Sequence, residues 1–208
     1  MTTIHEVLKE AAGSLEEISG TPLLDAQVLL GHVLRVERLY LIINKDRALT
    51  DEEVFEYNEI IGKRLDGMPL QYIIYNQEFM GLDFYVEEGV LVPRPDTEIL
   101  IEKVLGSIDI DGKYNIVDIG TGSGAITVSL AKFIENACVY SIDISMKALN
   151  IARKNAHTHG VASKISFLNG SLFEPLENID IKGKVDILVS NPPYIPSEEI
   201  EKLQIEVA

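Results

Sequence analysis

Cysteine is nearly absent from this 208-residue chain: Cys138 stands alone. No intramolecular disulfide can form, and a reducing compartment is the simple reading. Positive charge is scarce too. Eighteen Lys and Arg face 33 Asp and Glu, a net charge of −15. Phosphate backbones and anionic membranes are bound by clustered Lys and Arg, so broad adhesion to either is not expected, although a local basic patch is still allowed. No apolar run is long enough to span a bilayer. The opening MTTIHEVLKEAAGSLEE carries acids where a signal peptide needs an apolar stretch. His157 and His159 have no Cys or acid cluster near them in sequence, so they read as surface residues and no metal is expected. A cytoplasmic protein is the default. Hydrophobic residues make up 46% and charged residues 25%, enough to build a globular core.

Two regions differ in pattern. Residues 1–68 read as an N-terminal helical domain. Ile4, Val7, Leu8, Ala11 and Ala12 share a helical face. Thr21-Pro22 marks a helix start, and Thr50-Asp51-Glu52-Glu53 matches a capping box. Gly67 and Pro69 close the last of these helices. Residues 69–92 read as a β-hairpin linker, with Gln71–Tyr75 and Glu78–Met80 extended, Gly81-Leu82 turning, and Asp83–Val86 returning. Residues 93–208 form the third part. It opens on Val92-Pro93-Arg94-Pro95, which forces extended backbone before a helix from about Asp96. From about residue 114 strands alternate with helices, which predicts an α/β domain with a parallel sheet. Cys138 begins a strand that reads as buried, so it is expected in the core.

Between the strand Asn115–Ile119 and the helix from Ala125 lies Gly120-Thr121-Gly122-Ser123-Gly124. Glycines there let the chain turn sharply and let a ligand approach the main chain. Asp143 ends the next strand, where an acid can accept hydrogen bonds from a ribose diol. Together they predict a nucleoside-containing ligand across the strand ends. The loop fits both a dinucleotide fingerprint, G-x-G-x-x-A through Ala125, and the G-x-G-x-G of S-adenosylmethionine enzymes. There is no P-loop motif and no G-x-S-x-G nucleophile elbow.

The strand Val185–Val189 runs into Ser190-Asn191-Pro192-Pro193-Tyr194. The prolines restrict the backbone of Asn191 and Pro192 and lock that of Pro193. This rod aims the Asn191 side chain and the Pro192 carbonyl, and neither proline can donate. Two converging acceptors suit a substrate NH2 group, and Tyr194 offers a flat wall for a planar amide or base. Methylation of a planar nitrogen needs this arrangement, because the lone pair of an amide nitrogen is delocalised and must be positioned.

With these stretches in view, the chain resembles the HemK family of protein-(glutamine-N5) methyltransferases, which act on peptide chain release factors. The matching stretches are Pro69–Ile73, Glu78–Leu82, Val92–Glu98, Asp118–Ala125 and Val189–Ile195. The resemblance implies a Rossmann-like, S-adenosylmethionine-dependent α/β domain behind a helical bundle and a β-hairpin. It implies methyl transfer to the glutamine of the Gly-Gly-Gln motif of class-1 release factors, with S-adenosylhomocysteine as product. Gly120, Thr121, Gly122, Ser123 and Gly124 would hug the methionine part of the cofactor, and Asp143 its ribose. Leu172 would lie beneath the adenine, with Ser171 in place of the family's usual acid. Asn191 would touch cofactor and substrate. Asn191, Pro192 and Tyr194 are the expected catalytic residues, and with Pro193 they form the expected substrate site. The family's sheet continues past the fourth strand, so a truncated chain with impaired catalysis is also expected.

The rivals are an amino-methyltransferase of adenine or cytosine in nucleic acid, a dinucleotide-dependent reductase, and a cofactor-binding fragment without turnover. Charge counts against the first. The Asn-Pro-Pro-Tyr turn has no task in the second. A monomer that contacts a release factor, but neither DNA nor membrane, is the expected form.

Overall fold

The computed structural model describes residues 2–192. These divide into two compact units between Ile74 and Tyr75.

The first unit is helical: α1 (Ile4–Leu15), α2 (Pro22–Leu34), α3 (Arg38–Ile43), α4 (Asp51–Leu65) and α5 (Leu70–Ile74). Both α1 and α4 open on reciprocal capping boxes, Thr3 with Glu6 and Thr50 with Glu53. Thr21 sits at the α2 N-cap, but its hydroxyl makes no cap bond and instead donates to Asp25 Oδ1. Ile4, Val7, Leu8, Ala11 and Leu15 of α1 are buried with Leu29, Leu30, Tyr57 and Ile61. Inside this core Arg64 Nε donates to Asp25 Oδ2 at 3.1 Å, and Tyr57 Oη donates to the Ala26 carbonyl.

The reading of Gln71–Tyr75 as a strand is corrected here. Leu70–Ile74 is a short helix, started by amides of Tyr72 and Ile73 on the Pro69 carbonyl and ended by Tyr75 at φ 55°. The aromatic and β-branched run favours a strand locally. A short apolar run is ambiguous, however, and burial of Ile73 in the helical core decides it.

The second unit begins with β1 (Gln77–Phe79) and β2 (Leu82–Phe84), an antiparallel hairpin. Its turn is Met80-Gly81, both with positive φ, which is the two-residue hairpin geometry. Then come α6 (Pro95–Ser107), β3 (Lys113–Ile119), α7 (Ala125–Phe133), β4 (Asn136–Asp143), α8 (Met146–Thr158), β5 (Ile165–Asn169) and β6 (Ile187–Ser190). The sheet is parallel in the order β5-β4-β3-β6. Alternate residues face opposite sides. Ile116, Val139 and Val189 meet Ile101 of α6, Val128 and Leu130 of α7, and Ala156 of α8. Val117 and Ile142 meet Leu176 and Ile181 on the other face. The hairpin rings of Phe79 and Phe84 join the first of these clusters.

The expectation that Cys138 is buried also fails: it is exposed. Alternation along β4 turns Ala137 and Val139 inward and Cys138 outward. Among the described residues β6 is an edge strand, and its Leu188 is 55% exposed.

Candidate functional site

All four strands of the sheet run the same way, so their carboxyl ends gather the loops the sequence singles out. Gly120, Gly122 and Gly124 have φ of 79°, 56° and 83°. The loop is tied to the neighbouring strand: the amides of Gly120 and Thr121 both donate to the Ile142 carbonyl, at 2.9 and 3.1 Å. The three glycines serve different ends. A Cβ at Gly120 or Gly122 would meet no atom of the described residues within 4 Å, so among these both leave open surface for a ligand to approach. A Cβ at Gly124 would lie 2.8 Å from the Ala152 Cβ, so this glycine admits close packing of α8. Helix α7 starts from Gly124 with no side-chain cap.

Asp143 is half-buried at the end of β4. Its Oδ2 accepts from the Gly122 amide at 2.9 Å and its Oδ1 from the Ser145 amide at 2.8 Å. A carboxylate offers about four acceptor positions, so it can still accept from a diol. Asn169, at the end of β5, donates to the carbonyls of both Asp143 and Ile144 at 3.0 Å. Two exposed apolar residues follow the neighbouring strands β4 and β5, Ile144 at 77% exposure and Leu172 at 61%. Leu172 has φ 49°, and Ser171 presents its amide to Glu174. The sequence reading names Leu172 but misses Ile144 and Asn169. An apolar residue directly after the strand-ending acid was the available signal for Ile144. Nothing local announces Asn169.

Beneath the loop lies a buried polar cluster. Thr121 is 6% exposed, and its hydroxyl is 2.6 Å from Ser141 Oγ and donates to the Ile142 carbonyl. Asp118 is fully buried, with Oδ2 accepting from the hydroxyls of Thr127 and Thr121. Among the described residues its Oδ1 has no partner. Burial pushes the Asp118 carboxyl up to about 6, and the threonine hydroxyls oppose the shift. Ser123 is 3% exposed. The side chains of Thr121 and Ser123 therefore support the loop from within.

Asn155 of α8 is a further residue that sequence reasoning passes over. It is 1% exposed and saturated. Its Oδ1 accepts from the Tyr85 amide, and its Nδ2 donates to the carbonyls of Tyr85 and Ser123, at 2.8, 2.9 and 2.8 Å. One carboxamide thus joins the segment leaving the hairpin to the glycine loop. His159 closes the same end of α8, with Nε2 2.7 Å from the Asp83 carbonyl.

Ser190 pairs with Ile119, and its hydroxyl donates to the Ile119 carbonyl. This register brings Asn191 level with Gly120. Asn191 is half-buried, and its Nδ2 donates to Thr97 Oγ1 in the first turn of α6 at 2.9 Å. Pro192 is exposed. Pro193 and Tyr194 lie outside the described residues. Among the described residues no group of three or more His, Cys, Asp or Glu could hold a metal ion, and no helix is long and apolar enough to cross a membrane.

Comparison with known proteins bears on both units. Residues 6–74 match the model of the PrmC N-terminal domain, and residues 110–204 match a methyltransferase domain. The chain is 42% identical over 184 residues to a release factor glutamine methyltransferase of Clostridium acetobutylicum, covering 88% of this chain and 64% of that one. It is 41% identical over 210 residues to that of Moorella thermoacetica, covering 99% and 71%. For Chlorobaculum tepidum the identity is 41% over 211 residues, covering 99% and 72%. The chain therefore spans about two thirds of the length of the curated relatives it matches.

Proposed function

The chain belongs to the release factor glutamine methyltransferase family, and from that premise we propose that it moves a methyl group from S-adenosylmethionine to the side-chain amide of the glutamine in the Gly-Gly-Gln motif of class-1 release factors. Its second unit is a Rossmann-like methyltransferase domain that takes S-adenosylmethionine as cofactor. The residues present fit that molecule. Gly120 and Gly122 leave space above the loop. Asp143 keeps acceptor capacity for a ribose diol. Exposed Ile144 and Leu172, after β4 and β5, offer apolar surface for a purine.

When bound, the cofactor would supply a methyl group activated by its sulfonium sulfur, which would keep the S–C electron pair as leaving group. The remaining work is positional. The Gly120–Gly124 main chain holds the methionine portion. The carboxamide oxygen of Asn191 and the carbonyl of Pro192 accept the two N–H hydrogens of the glutamine amide. That turns the nitrogen lone pair toward the methyl carbon and lets positive charge develop against acceptors, and the N–H proton made acidic by the new bond leaves to solvent. Tyr194 packs on the amide plane beside Pro193. The enzyme works as a cytoplasmic monomer, with residues 1–68 contributing to recognition of the protein substrate and residues 69–92 linking them to the catalytic domain.

One observation supports this reading: Ser190, the residue before Asn191, pairs with Ile119, the residue before the glycine loop. The test is transfer of radiolabelled methyl from S-adenosylmethionine. Label should enter a class-1 release factor and not its variant with alanine in place of the Gly-Gly-Gln glutamine. Label entering DNA instead, or entering both release factors equally, would overturn the assignment.

A further inference from the structure

We propose that Thr97 is a positioning residue that holds the Asn191 carboxamide in the orientation it presents to the substrate. The inference rests on the role given to Asn191 above and adds a residue outside that set.

A carboxamide is nearly symmetrical in shape but opposite in chemistry at its two ends: oxygen accepts and NH2 donates. A side chain that must receive an N–H from the glutamine amide has to present oxygen. Rotated by half a turn it would set NH2 against NH2, and the substrate hydrogen bond would be lost. Backbone stiffness cannot prevent this rotation. The prolines after Asn191 restrict its φ and ψ, but they leave the terminal torsion of the side chain broad and roughly two-fold. A partner for the carboxamide has to limit it.

Thr97 supplies that partner. Its hydroxyl oxygen accepts from Asn191 Nδ2 at 2.9 Å, and both side chains are half-buried. The NH2 end is thereby held at α6, and the oxygen end is left to the substrate. Thr97 is itself well placed to be firm. It is the third residue of α6, after Arg94 at the N-cap and Pro95 in the first turn. Its amide donates to the Arg94 carbonyl at 3.0 Å. The next residue, Glu98, accepts from the Met80 amide of the hairpin turn at 2.6 Å, so this helical turn is anchored from outside α6 as well. The stretch Pro93–Glu98 therefore does more than start a helix: it carries the group that orients the catalytic amide.

The experiment compares the 208-residue chain with Thr97→Val, Thr97→Ser and Asn191→Ala. The readouts are methyl transfer to the release factor, the Kd for S-adenosylhomocysteine and the Tm. Valine keeps the shape of threonine and removes the acceptor; serine keeps the acceptor. Thr97→Val should lower kcat roughly tenfold, the scale of one hydrogen bond's orienting energy. Its Kd for S-adenosylhomocysteine should match the wild type within about twofold, and Thr97→Ser should restore most of kcat. A purely structural role predicts something else, namely cofactor affinity and Tm falling together with the rate. The inference is overturned if Thr97→Val keeps wild-type kcat while Asn191→Ala loses it. It is also overturned if serine is as slow as valine. If Asn191→Ala transfers methyl as well as the wild type, or the wild type transfers none, the reading of Asn191 itself fails and this inference falls with it.

Discussion

Replacing Asn155 with alanine should loosen the glycine loop and the segment leaving the hairpin together. The side chain makes three hydrogen bonds, to the Tyr85 amide, the Tyr85 carbonyl and the Ser123 carbonyl, from a position 1% exposed to solvent. A net hydrogen bond contributes about 1 kcal/mol, and a partner left buried without one costs about 1–3 kcal/mol. The loss should therefore be about 3 kcal/mol, and more if water cannot enter the space. The assay is urea unfolding, with the slope checked for constancy, alongside amide hydrogen exchange of peptides covering residues 79–90 and 118–126. Both peptides should exchange faster in Asn155→Ala, while peptides from α1 and α4 should not change. Asn155→Asp should be no better. It keeps an acceptor for the Tyr85 amide but sets a carboxylate against two carbonyls in a dry site. A destabilisation below about 1 kcal/mol in both variants, or faster exchange in only one of the two segments, would falsify the claim that one carboxamide couples them.

Three further outcomes follow from the same geometry. Asp118→Asn should stabilise the protein more at pH 7.5 than at pH 4. The folded carboxyl binds its proton more tightly, at about 6 against an ordinary value of 3.8, so its contribution is full below 3.8 and lost as pH rises through about 6. The gap between the two pH values should be on the order of 3 kcal/mol by chemical denaturation, and a pH-independent gap refutes it. Gly124→Ala should lower Tm more than Gly120→Ala. Both strain a positive φ, but only the former drives a Cβ to within 2.8 Å of Ala152; equal losses would show that the α8 contact is unimportant. Arg64→Ala should cost about 3–5 kcal/mol by leaving Asp25 buried without its guanidinium, whereas replacing both residues with apolar ones should recover much of that. A double replacement as unstable as the single one would count against this account.

Much of the molecule is legible in the order of its residues, because the signals are local. Thr3, Thr50, Gly67 and Pro69 mark helix ends through bonds to amides and carbonyls a few positions away. The alternation of strands and helices after residue 114, the glycine loop and Asp143 follow from short periods and special torsions, which need no distant partner. What stayed hidden depends on partners remote in sequence. Gln71–Tyr75 has strand-like residues, yet Ile73 is drawn into a helical core formed by residues dozens of positions earlier. Cys138 sits among apolar neighbours, but the phase of alternation in β4 is set by pairing with β3 and turns it outward.

The same division runs through the site. Residue types and spacing were enough to single out the glycine loop, the strand-ending Asp143, and the stiffened Asn191-Pro192 pair. Each is chemistry held within a few consecutive residues. Folding alone could reveal that Asp143 already holds the amides of Gly122 and Ser145, that Asn155 ties Ser123 to Tyr85, and that Thr97 takes the NH2 end of Asn191. Those bonds span from 2 to 94 positions of chain. A side chain's list of possible partners is written in its chemistry, but which one it meets is decided by strand order and helix packing, where burial forces every polar group to find whatever donor or acceptor the fold has placed beside it.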